Sequence, residues 1–136
     1  MFPSTLLIEF LCLLAAIIFL KTDELAWRSF IFFMLFIVLV DGTGWGMAVF
    51  FNMKNHWLYN IQLLVETCYT FWLINKIFTR TFSSHPVFLK ASVAVFFVSY
   101  LIENSLSHFL QYSSISSSLS SVLLIALCCC YFYLLL

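Results

Sequence analysis

Apolar residues run through this chain in five long blocks, and polar residues collect in the short joints between them. The blocks at Phe2–Leu20, Trp27–Phe51, Trp57–Phe78, Val87–Phe109 and Ile115–Leu136 each reach the roughly 20 residues a helix needs to cross a bilayer core about 30 Å thick. Runs such as Ile31–Val40 do not alternate apolar with polar, as a membrane-barrel strand of about 10 residues would. The pattern predicts an all-α, polytopic transmembrane bundle of about five helices in one domain, 1–136, with helices at about 2–20, 27–51, 57–78, 87–109 and 115–136.

The joints at 21–26, 52–56 and 79–86 and the Ser-rich stretch from Gln111 are too short to hold an extramembrane domain. No basic n-region or small-residue cleavage site precedes the first block, so it reads as a retained helix and not a signal peptide. The last block ends on Leu134-Leu135-Leu136 with no charged flank, which predicts a bundle that continues beyond it. Composition agrees with the pattern: 64% hydrophobic and 9% charged residues, with mean hydropathy +1.08, against about 25% charged residues in a soluble domain.

Basic residues set the expected orientation. Lys21, Arg28, Lys76, Arg80 and Lys90 flank one side and only Lys54 the other, which places the N-terminus outside and the C-terminus inside an inner membrane. None of the six bases lies deep in a block, but four of the six acids do: Glu9, Asp41, Glu66 and Glu103. At 1.5 Å per residue, Glu9 and Glu103 fall about 8–10 Å, and Asp41 and Glu66 about 15–16 Å, below the outer boundary. Carboxylates are costly in hydrocarbon and face a bundle interior, a watery cavity or a partner.

Helical spacing groups further polar residues with these acids. Tyr59, Gln62, Glu66, Tyr69 and Thr70 share a face of the third helix; Ser92, Ser99, Glu103 and Ser107 share one of the fourth; Thr5, Glu9, Cys12 and Ala16 form a stripe on the first. Gly42 and Gly46 have the small-xxx-small spacing of close helix approach, which predicts that the second and third helices pack there and set Asp41 level with Glu66. Glu66, near the midplane with no base within two turns, is expected to be the acid hardest to ionise and most sensitive to substitution.

The acids admit three readings. They are hydrogen-bonded links between helices, a cation or proton site, or contacts to basic groups of a partner. Glu9, Asp41, Glu66, Glu103, Gln62, Tyr59 and Asn104 are the candidate lining of an outward-facing polar cavity. His56 and His108 lie at the outer boundary, and His108 shares a face with Asn104, so a metal site with Glu103 is one reading; interfacial polar residues are the plainer one. Cys12, Cys68 and the run Cys128-Cys129-Cys130 have no zinc spacing and read as small packing residues, with palmitoylation an alternative for the run.

No nucleophile elbow, zincin motif or nucleotide-binding loop occurs, so neither a catalytic residue nor a cofactor is expected. An Asp41–Glu66 acid pair in an intramembrane hydrolase is the only enzymatic reading, and no substrate groove accompanies it. Six bases balance six acids without a basic stripe, which removes nucleic acid from the partners. The lipid bilayer and a second copy or membrane partner remain.

The segment Asn55-His56-Trp57-Leu58-Tyr59-Asn60-Ile61, followed by Glu66, resembles short, uncharacterised multi-pass bacterial inner-membrane proteins in which a similar segment opens a helix bearing an acid about six residues on. About a dozen residues and the hydropathy pattern carry the resemblance, and its members are typically longer, with six or seven helices. It implies no activity. The expected function is therefore cation- or proton-linked transport or solute binding at an acidic polar cavity; the alternative is a noncatalytic sensor or partner-binding module whose acids are structural.

Overall fold

A computed structural model describes residues 4–20, 25–52, 54–82, 87–107 and 111–135. All regular structure among them is helical: α1 Ser4–Phe19, α2 Leu25–Phe50, α3 His56–Phe82, α4 Val87–Ser107 and α5 Ser114–Leu135. The predicted class and helix order hold, and most ends agree within two residues. α3 is the exception, running four residues past its predicted end. Thr79 Oγ1 donates to the Asn75 and Lys76 carbonyls and Thr81 Oγ1 to the Ile77 carbonyl. The hydroxyls are thus accommodated within the helix, which continues through residues that favour loops elsewhere.

Three helical segments are both long and apolar enough to cross a membrane: Arg28–Phe50, Val87–Ser107 and Ser114–Leu134. The two other predicted spans differ from these for separate reasons. α1 is apolar but only 16 residues long, which at 1.5 Å per residue covers about 24 Å of a core about 30 Å thick. α3 is ample in length at 27 residues, but Asn60, Gln62, Glu66, Asn75, Lys76 and Arg80 dilute its apolarity.

The chain divides into two compact units, Met1–Gln62 and Leu63–Leu136, with the boundary inside α3. In the N-terminal unit α1 packs on α2. Leu13 and Ala16 are buried on α1, and Val40 and Gly44 on α2. A Cβ built on Gly42 would meet Leu6 Cδ1 at 3.8 Å, an ordinary contact, and one on Gly46 would meet nothing within 4 Å. The glycine that needs to be glycine is therefore Gly44, between the two that spacing selected. α2 ends where Asn52 takes the left-handed conformation, φ 49°, which asparagine tolerates better than most residues.

In the C-terminal unit, Leu63 and Phe71 of α3, Leu89, Phe96 and Tyr100 of α4 and Leu127 of α5 form one core. Phe96 stacks on Tyr100 with ring centroids 5.8 Å apart and meets Phe71 edge-on at 6.2 Å. Phe78 meets Tyr131 edge-on at 5.4 Å. α4 buries Leu89, Ser92, Phe96, Tyr100 and Asn104 at helical spacing. The face of α5 that turns inward changes along its length, from Ser116 and Ser120 to Leu127. Thr67 Oγ1 and Ser120 Oγ, both buried, share a hydrogen bond of 3.0 Å. Small hydroxyl side chains let helices approach closely and bond across the gap.

Candidate functional site

A polar cluster in the N-terminal unit forms where the end of α2 meets the start of α3. Asn55 precedes α3, and its carbonyl accepts from the Leu58 amide at 3.0 Å. Its side-chain amide reaches back to α2 and donates to the Gly44 carbonyl at 2.7 Å. Tyr59, one turn into α3, is hydrogen-bonded to the Asn55 side chain. Gly44 makes room for this arrangement, because a Cβ there would lie 2.8 Å from Tyr59 Oη and 3.1 Å from Asn55 Nδ2.

Two of the four predicted acids lie near enough to this tyrosine to influence it electrostatically. The Tyr59 hydroxyl lies within the electrostatic reach of Asp41 and, more weakly, of Glu9. Asp41 is half-buried one turn before Gly44, and Glu9 is half-buried with its Oε2 fully shielded. Gln62, one turn beyond Tyr59, has a buried Oε1 with no hydrogen-bond partner. Carboxylate, phenol and amide oxygens are groups of the kind that suit a proton or a hard cation.

The other two acids, in the C-terminal unit, have different surroundings. Glu103 of α4 closes the N-terminus of α5. Its Oε1 accepts from the Ile115 amide at 3.0 Å, and its Oε2 from the Ser116 amide at 2.7 Å and the Ser116 hydroxyl at 2.6 Å. Those two amides are the ones an N-cap side chain normally satisfies, and a carboxylate there also meets the positive end of the helix dipole. Here the cap comes from a neighbouring helix. Glu66 is exposed. The buried face of α3 is Asn60, Leu63, Thr67, Phe71 and Phe78, one position round from the polar face that spacing had grouped as Tyr59, Gln62, Glu66, Tyr69 and Thr70.

The remaining candidates resolve as follows. Asn104 is buried, and its Nδ2 donates to the Tyr100 carbonyl at 3.0 Å within α4. On α1, Thr5 and Cys12 are exposed while Ala16 is buried. His56 is half-buried at the first residue of α3, and His108 lies outside the described residues. Among the described residues no three His, Cys, Asp or Glu side chains gather as metal ligands. Gly44, Thr67, Ser116 and Ser120 escaped the sequence reading, which followed acids, and Asn55 entered it only through the segment that opens α3.

No protein-family model, no curated protein and no solved structure matches the chain.

Proposed function

We propose that this is an integral membrane protein that binds a proton or a small cation at the Glu9–Asp41–Tyr59 cluster, as a step in cation- or proton-linked transport or solute binding. The observation that supports this reading is the Tyr59 hydroxyl, held by Asn55 against Gly44 and set in the field of two carboxylates. Two carboxylates near one phenol are a set of groups able to exchange a proton or hold a cation. The proposed setting is a multi-pass inner-membrane protein with its N-terminus outside and its C-terminus inside, on the distribution of basic residues. Reporter fusions in the Lys54 and Arg80 joints should report outside and inside respectively; the opposite labelling would reverse the orientation.

Flux measurements in proteoliposomes test the site. Wild type should take up protons or a monovalent cation along an imposed gradient, and Asp41→Asn and Glu9→Gln should fold but lose pH-dependent uptake. Unchanged uptake in both variants would refute the assignment. Loss with Glu66→Gln alone would move the site to the C-terminal unit. The second reading, a noncatalytic sensor or partner-binding module, draws support from Glu103, an acid with a structural task. Absence of flux in wild type under any gradient would favour it.

A further inference from the structure

Along the α4–α5 pair an open cleft of about 1050 Å³ runs over α4 and reaches the start of α5. Its length is apolar, lined by Val95, Val98, Ile102 and Leu106, all exposed, and its end is polar, lined by Glu103, Ser107 and Gln111. From Val95 to Ile102 the apolar part below Glu103 covers about 10 Å, well within one leaflet of a core about 30 Å thick. The polar end lies in the last turns of α4, a helix of 21 residues that ends at Ser107, long enough to carry its ends toward the headgroup layers. We propose that this cleft seats one phospholipid whose headgroup carries an ammonium group, with an acyl chain along α4 and the headgroup at Glu103 and Ser107.

Two polar observations, independent of the ion site proposed above, select that headgroup. Glu103 accepts three hydrogen bonds from α5, and a carboxylate has about four acceptor positions, so one is left for an ammonium donor. Among the described residues no lysine or arginine lines the cleft, so the carboxylate at its mouth disfavours a purely anionic headgroup. Ser107 Oγ is buried in the lining and has no hydrogen-bond partner. A hydroxyl left unmatched there is suited to a phosphate or ester oxygen, which would satisfy it. An amphiphile with a cation beyond a phosphate meets both demands at one end and the apolar wall at the other.

Native mass spectrometry of the full chain, incubated with equal amounts of palmitoyl-oleoyl phosphatidylethanolamine and phosphatidylglycerol, tests the proposal. The ethanolamine adduct should exceed the glycerol adduct by on the order of tenfold, the effect of one charge-assisted hydrogen bond. Val98→Trp, which fills the cleft from an exposed position, should remove the adduct while helicity by circular dichroism stays unchanged; Ile102→Phe serves as the second filling variant. Ser107→Ala should weaken retention and leave the melting temperature alone. Equal adducts of the two lipids, or full retention in both filling variants, would overturn the proposal. So would a dimer in light scattering that Val98→Trp dissociates, because the occupant would then be a second copy of the chain.

Discussion

The two units of this protein each hold two acids within apolar helices and use them differently. In the N-terminal unit Glu9 and Asp41 lie in the electrostatic neighbourhood of one tyrosine. In the C-terminal unit Glu103 is bonded to three donors of a neighbouring helix and Glu66 is exposed. The cores differ in the same sense: the C-terminal unit has an aromatic and aliphatic cluster of three helices, whereas α1 and α2 meet through small and aliphatic residues beside their polar cluster. An intramembrane acid thus has no meaning of its own. What it does follows from whether a neighbouring helix presents backbone amides to it or another titratable group.

If that contrast holds, removing the carboxylates should have opposite signatures in the two units. Glu103→Ala should have the largest effect on stability. It strips the Ile115 and Ser116 amides of their acceptor and should cost about 3 kcal/mol, because hydrogen bonds to charged groups carry about 1.5–3 kcal/mol each and loss of a cap alone about 1. Thermal unfolding in detergent measures the loss, and amide exchange at Ile115 and Ser116 locates it. Asp41→Asn, in contrast, should leave the melting temperature within a few degrees and act on proton or cation uptake. Equal destabilisation by the two variants would erase the distinction between the units.

A glycine pair sharpens the picture of the N-terminal unit. Alanine at either position gains helix propensity of up to about 1 kcal/mol, but only at Gly44 does the new methyl group press on Tyr59 and Asn55. Gly44→Ala should therefore be about 1–2 kcal/mol less stable than Gly46→Ala, with uptake lost only in the former. Indistinguishable melting curves would show that Tyr59 does not depend on the bare backbone of α2. The smallest expected effect is that of Thr67→Val in the C-terminal unit, about 1 kcal/mol, for the loss of one buried hydroxyl pair with Ser120.

Helix number, order and most boundaries were legible in the sequence, because block length and joint polarity are local properties. Which face of each helix turns inward was less so. On α3 the inward face carries Thr67 and not Glu66, since the Thr67 hydroxyl bonds to Ser120 of α5, a partner no spacing rule identifies. The glycine rule selected Gly42 and Gly46 by their separation of four, while the close approach falls at Gly44, where a tyrosine from α3 arrives. Glu9, Asp41 and Tyr59 were named as site residues from depth and face, and the structure brings these three into one neighbourhood. Glu103 was named with them, but its capping task depends on where α5 begins, and the Ser-rich run hides that start among equivalent serines.

The bond from Glu103 to Ser116 joins residues 13 positions apart in the chain. The tie therefore closes a short loop, and short loops cost little closure entropy. α4 and α5 are fastened into a hairpin by near neighbours in the chain, and contacts that local can form early in folding.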